Sequence, residues 1–182
     1  MDNKKKIALG TLVIGAIGTG VYLLNSQKNV KFKTVNHFKL EDFFGRWYEI
    51  ARIDFKYEKG MTNCLAKYKK EDDGSISVIN SGYDKKKKRW KKSEGTLKAI
   101  DEEKGQFRVS FGNLFYSPYN VLDIDDRYEN VLVAGKNHDY LWILSREKEI
   151  SDKTKSRFLA KAIDSGYDIT RLTWTSQIPI DL

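Results

Sequence analysis

The sequence predicts an all-β fold: an eight-stranded antiparallel up-and-down β-barrel, with one C-terminal helix packed outside and a separate N-terminal hydrophobic helix. Three observations predict it. From Arg46 onward, β-branched and aromatic residues recur in short alternating runs broken by turn residues. The run Gly45-Arg46-Trp47-Tyr48-Glu49-Ile50-Ala51-Arg52 opens the globular part with a flexible turn beside an indole large enough to plug one end of a barrel. A lysine-flanked apolar stretch precedes both.

Size and composition fit this reading. A chain of 182 residues with a single compositional break is one domain plus an appendage. Hydrophobic residues make up 40% of it, enough for a folded interior, and only Pro118 and Pro179 interrupt the supply of ladder donors. The formal charge of +8 attracts any polyanion, anionic lipid and nucleic acid alike, without choosing between them. Cys64 is the single cysteine, so no intramolecular disulfide staples the fold, and the thiol assigns no compartment.

Four segments are expected: 1–24 as a signal or membrane-anchor helix, 25–37 as a polar tether, 38–176 as the barrel domain and 177–182 as a tail. Behind Lys4-Lys5-Lys6, the 18 residues Ile7 to Leu24 carry no charge, which is the lower edge of bilayer-spanning length. Gly10, Gly15, Gly18 and Gly20 weaken a helix in water but are tolerated in lipid. If the segment is cleaved, Gly18 and Gly20 suit the processing site. Lys28, Lys31 and Lys33 on the far side match the leading lysines, so charge gives little orientation. The signal-like layout places the protein on a membrane of the cell envelope, with the barrel outside the cytoplasm. No cysteine ends the stretch, which closes the route of lipid attachment to a cysteine.

The strands are expected near Arg46 to Ile53, Asn63 to Lys70, Ser75 to Tyr83, Trp90 to Ile100, Gln106 to Phe111, Tyr119 to Asp125, Asn130 to Ala134 and Tyr140 to Leu144. Asp72-Asp73-Gly74 and Gly105 supply positive-φ turns, and Lys136-Asn137-His138-Asp139 is a polar reversal. A helix follows with Ser151 as N-cap, Phe158, Leu159, Ala162 and Ile163 on one face, and Gly166 at its stop. Leu172 to Thr175 reads as a last short strand. Eight strands closed on themselves leave an interior that side chains fill or that holds one small ligand.

These residues resemble a family. Gly45-Arg46-Trp47, extended by Tyr48-Glu49-Ile50-Ala51-Arg52, is similar to the first lipocalin motif. Asp126-Arg127-Tyr128 falls at the second, and Tyr140-Leu141-Trp142-Ile143-Leu144-Ser145-Arg146 at the third. Asp73-Gly74, Ile79-Asn80, Gly82-Tyr83, Ser93-Glu94-Gly95 and Tyr119-Asn120-Val121-Leu122 add to the likeness. The chain from about Phe38 to Trp174 thus resembles the lipocalins, most of all the bacterial outer-membrane, apolipoprotein D-like branch. The resemblance implies that Arg146 lies across Trp47. It also implies a binding protein, not an enzyme, that stores or transports a fatty acid or lysophospholipid for envelope lipid maintenance, without a cofactor.

The candidate ligand-binding residues are Arg52, Trp90, Phe111, Phe115, Tyr116, Tyr119, Asn120, Val121 and Trp142. Gly45, Trp47, Asp126, Tyr128 and Arg146 are structural. Aromatic stripes in strands are usually ordinary core; the resemblance favours a lined cavity instead. The segment Phe111 to Tyr119 carries more aromatic surface than a loop needs, either as an apolar lip or tucked on its own barrel. Lys85-Lys86-Lys87-Lys88-Arg89 reads as a solvated hairpin tip, or as an anionic-membrane contact. Nucleic acid is not expected, because no stacking platform accompanies the run. Cys64 as the nucleophile of a lipid-modifying enzyme is the other alternative, but His37 and His138 do not neighbour it. The Asp125-Asp126 pair suits turn capping, and no metal site is expected. The sequence leaves monomer and homodimer open.

Overall fold

The computed structural model describes residues 30–55, 58–112 and 115–178. The expected N-terminal helix and the start of the tether lie outside the described residues. A one-turn helix, α1 (Leu40–Phe43), leads into β1 (Gly45–Ile53), β2 (Met61–Lys70), β3 (Ile76–Asp84) and β4 (Arg89–Asp101). Then come β5 (Gln106–Phe111), β6 (Ser117–Ile124), β7 (Asn130–Ala134) and β8 (Leu141–Ser145). Helix α2 (Asp152–Asp164), a 3-10 turn (Ile169–Arg171) and β9 (Leu172–Trp174) complete the fold.

Consecutive strands pair antiparallel from β2 to β8, and β1 closes the sheet by pairing with both β8 and β2. Closure with β2 covers only Gly45 to Tyr48. Beyond a register shift between Glu49 and Ala51, the same edge of β1 takes β9 instead. The two strands therefore part toward one end, and the C-terminal segment fills the seam. Asn63 N–H donates to the Ser176 carbonyl at 2.8 Å, and the Gln177 side chain donates to the carbonyls of Glu49 and Cys64 at 2.8 and 3.0 Å. Gln177, expected to begin a tail, is stitched into the wall.

β7 shows why the barrel needs both faces covered. Val131 and Val133 point inward into the core with Trp47 and Phe107, while Leu132 and Ala134 face outward against Phe158 and Ala162 of α2. A strand buried on both faces reads as a continuous apolar run, here Val131-Leu132-Val133-Ala134. Ser151 caps α2, its hydroxyl accepting from Thr154 N–H at 3.1 Å, and Gly166 ends it at φ 87°. Of the expected apolar face, Phe158 and Ala162 are buried, whereas Ile163 is exposed. The barrel covers only about one residue per turn, so the neighbouring position faces water.

The stretch from Val30 to His37, expected within a polar tether, packs on the barrel. Val30 N–H donates to the Lys136 carbonyl at 2.8 Å, Val35 N–H to the Val121 carbonyl at 3.1 Å, and Phe32 stacks on Tyr167 with centroids 5.6 Å apart. Apolar residues at alternate positions, Val30, Phe32 and then Val35, supply the anchorage. No helix among the described residues is long and apolar enough to cross a membrane.

Candidate functional site

One end of the barrel is sealed. The Arg146 guanidinium lies over the Trp47 indole, 3.8 Å from the ring centroid, and donates to the carbonyls of Arg46, Asp42, Phe43, Phe44 and Tyr128. Trp47 N–H donates to the Phe43 carbonyl at 2.8 Å, so α1 is bolted to the floor from both partners. Gly45 has φ 102°, and a Cβ there would sit 3.2 Å from the guanidinium. Tyr128, itself at φ 55°, accepts the Lys39 N–H on its hydroxyl at 2.7 Å. Asp126 is exposed; the carboxylate that builds this turn is Asp125, which accepts from Glu129 N–H and the Asn130 amide, each at 2.7 Å.

The opposite half is hollow. A cavity of about 580 Å³ opens at the mouth, and all eight barrel strands contribute to its lining. Its walls include Val78, Val109, Val133 and Leu144, and its depth is marked by the paired hydroxyls of Tyr68 and Tyr119, 2.9 Å apart. Burial pushes the Tyr68 phenol up to about 12, so the pair stays protonated and serves only as a polar spot in an apolar wall. The Asn80 side-chain oxygen, also in the lining, is buried without a hydrogen-bond partner among the described residues.

A charged cluster borders the cavity where β1 and β2 part. Arg52 is fully buried and pairs with Glu49 and, through Nε, with Asp54 at 2.7 Å. Its remaining N–H groups donate to the Thr175 hydroxyl at 3.2 Å and to the Glu58 and Met61 carbonyls at 2.7 and 3.3 Å. Burial works against this guanidinium, but the carboxylates of Glu49 and Asp54 outweigh it and hold Arg52 above its ordinary value. Glu58 lines the cavity, and its carboxylate accepts from Trp142 N–H at 3.1 Å. Burial, then the nearby Glu49 charge, pushes Glu58 up to about 7. Cys64 is buried in the same wall, and desolvation followed by the Glu49 charge keeps its thiol protonated. His138 lies elsewhere, bonded to the Ser165 carbonyl at 3.0 Å.

Of the residues predicted to bind ligand, Phe111, Phe115, Tyr119 and Trp142 line this cavity. Five do not. Arg52 is brought to the same side as Glu49 by the register shift after Glu49, but it sits in the seam behind the lining with its donors committed. Trp90 is on the outer face of the β3–β4 hairpin, edge-to-face with Tyr83 at 5.8 Å. Tyr116 is held outside by Lys98 and Arg108, at 5.0 and 5.1 Å from its ring. Asn120 donates to the Gly135 carbonyl at 3.4 Å, and Val121 belongs to the packed floor half. The sequence reading missed Glu49, Phe55, Glu58, Tyr68 and Tyr140. Two-residue parity with Trp47 points Glu49 inward, and parity along β2 does the same for Tyr68. Phe55 and Glu58 lie in a loop, where no periodicity exists to read.

The geometry agrees with known proteins. Residues 38–177 match the lipocalin-like domain profile. The outer membrane lipoprotein Blc of Citrobacter freundii is 42% identical over 144 residues, covering 79% of this chain and 81% of that one. Blc of Escherichia coli (strain K12) is 41% identical over the same length, with the same coverage. Insecticyanin from the tobacco hornworm Manduca sexta superposes with a TM-score of 0.65 over 81% of this chain and 85% of its own, at 23% identity, which bears on the fold alone. With its sealed floor, open cavity and profile match in agreement, this chain belongs to the lipocalin-like domain family, as a binder of small hydrophobic molecules and not an enzyme.

Proposed function

We propose that the protein binds and stores or transports a single-chain lipid, a fatty acid or a lysophospholipid, while attached to a membrane of the cell envelope. The observation that carries this reading is the cavity of about 580 Å³, closed at the floor and open at the mouth. That size falls among small-molecule pockets, which run about 300–1,000 Å³. Each methylene buried there gains about 0.8 kcal/mol, so an acyl chain is held by the walls without specific contacts. Phe115, 84% exposed, offers an apolar step at the rim.

The Blc relatives are named outer membrane lipoproteins, which supports an envelope location with the barrel outside the cytoplasm. The attachment differs in kind, because the single cysteine of these 182 residues, Cys64, is buried in the barrel wall. The uncharged run Ile7 to Leu24 takes that role in our reading. Lys85-Lys86-Lys87-Lys88-Arg89 forms the tip of the β3–β4 hairpin at the mouth end, where Asp84 pairs in register with Met61. Its placement favours a mouth that faces anionic lipid, at about 1 kcal/mol per basic residue near the surface.

Native mass spectrometry of the full chain, purified without added lipid or organic solvent, tests the carrier reading. The expected result is a one-to-one adduct with the mass of a single-chain lipid, or uptake of one from an offered panel. A barrel that arrives empty and takes up none of them overturns it.

A further inference from the structure

Resting on the carrier reading above, we propose that the mouth of the cavity holds a quaternary ammonium subsite, formed by Phe55, Tyr140 and Trp142 with the Glu58 carboxylate. The ligand class it selects is a zwitterionic amphiphile with a choline-type head group. All four residues line the cavity. The three rings cluster, with centroids 5.5 Å apart for Phe55 and Tyr140, 6.0 Å for Phe55 and Trp142, and 6.3 Å for Tyr140 and Trp142. A quaternary ammonium has no N–H to donate, so it is recognised by ring faces and by a carboxylate, which is the combination found here. The Trp142 N–H bond to Glu58 at 3.1 Å fixes that carboxylate beside the rings.

The local charge balance points the same way. Among the described residues, Glu49, Asp54 and Glu58 share one buried cation, Arg52, whose N–H groups are taken by Asp54, Glu49, Thr175 and two carbonyls. A fatty-acid carboxylate placed there would meet Glu58. A bound ammonium instead completes the charge. At the rim, the Lys136 ammonium lies 5.5 Å from the Tyr140 ring centroid, and a phosphate next to the bound ammonium would draw it off that ring into an ion pair. Lys91, the other lysine of the lining, is paired with Asp84 at 2.7 Å.

The groups around Glu58 are Glu49 and Arg52 from β1, Asp54 just beyond it, Cys64 and Tyr68 from β2, Trp142 from β8, and Lys136 and Tyr140 in the lining from the β7–β8 turn. Arg52 stays charged and Cys64 stays neutral across the neutral range, whereas Glu58 is raised into it. Protonation of Glu58 as the pH falls through about 7 removes the counter-charge, and affinity for the ammonium falls with it.

Calorimetric titration of the full chain with lysophosphatidylcholine and lysophosphatidylglycerol of the same acyl chain tests the subsite. The expected result is a choline preference of about tenfold at about pH 8, shrinking at about pH 5.5. The preference should disappear in Glu58→Gln, which keeps an acceptor for Trp142, and in Tyr140→Leu. Equal affinity of the wild type for both probes overturns the subsite, as does a preference that survives in Glu58→Gln; in either case the cavity reading stands. Failure of the wild type to bind either probe overturns the cavity reading and the subsite with it. Should Tyr140→Leu fail to fold, Glu58→Gln decides the question.

Discussion

Arg146 lies 3.8 Å above the Trp47 ring centroid, and together they hold the floor of the barrel through six hydrogen bonds to backbone carbonyls, five from the guanidinium and one from the indole. Trp47→Ala removes a fully buried side chain from between α1 and the floor core. Truncation of such a residue costs about 3–5 kcal/mol, and the melting temperature should fall by about 10 °C or more. Arg146→Lys should also destabilise the protein, because an ammonium cannot reach the same fan of carbonyls. Thermal unfolding followed by circular dichroism checks both; an unchanged melt for Trp47→Ala contradicts the assignment of this pair to the floor.

Gly95 is the second fixed point. A Cβ at this position would lie 2.4 Å from the Ser110 carbonyl oxygen and 2.8 Å from the Phe111 ring. Backbone cannot move aside cheaply where β4 pairs with β5, so Gly95→Ala should cost about 1–3 kcal/mol. Phe111 lines the cavity, so the variant should also weaken ligand uptake. Urea unfolding and a ligand titration on the same sample separate the two effects.

The barrel was legible in the sequence because its strands alternate or, like β7, are apolar throughout, and because turn residues fix their ends. Helix α1 was not, since Leu40-Glu41-Asp42-Phe43 is a single turn with no side-chain cap. The site was legible only in part. Leu97 is buried inside, and counting back by twos through Gly95 and Ser93 brings Lys91 inward and Trp90 outward, a parity that aromatic bulk alone obscures. At Arg52 the register shift after Glu49 breaks the count and brings the side chain to the barrel side, where the seam takes up its donors, a pairing that the sequence does not show. Glu58 and Phe55 become neighbours of Trp142 only through closure of the barrel, a relationship with no local signature.

Cys64 should be inert in the folded protein. Its thiol is buried, and desolvation holds it well above the ordinary thiol range. Reaction with a disulfide reagent such as Ellman's should be slower by about tenfold or more than in denaturant. Cys64→Ser should keep its ligand. Rapid labelling of the native protein contradicts the burial.

Glu58 gives the stability a pH dependence of defined sign. Its folded value is raised from 4.5 to about 7, so the folded state holds a proton that the unfolded state releases between those limits. The contribution is present below about 4.5 and is lost as the pH rises toward 7. It amounts to about 1–3 kcal/mol after allowance for partial exposure. Carboxylates such as Asp73 and Asp84, held low by their hydrogen bonds and, for Asp84, by Lys91, act in the opposite direction. The measurement is therefore the difference between wild type and Glu58→Gln in urea unfolding, which should shift in favour of the variant across this range. A flat difference contradicts the raised value.

Filling the hollow separates binding from folding. Ser93 lines the cavity from β4 and is exposed to it, so an added side chain meets open space before it meets protein. Ser93→Trp should therefore fold with a melting temperature within a few degrees of wild type, about 1 kcal/mol or less in stability. The indole then occupies volume that an acyl chain needs, and each methylene excluded forfeits about 0.8 kcal/mol. Loss of two methylenes already weakens binding by about tenfold, which a fluorescent fatty-acid displacement assay resolves. If Ser93→Trp binds the probe as tightly as wild type while keeping its fold, the ligand does not enter the barrel, and binding must occur on its outside.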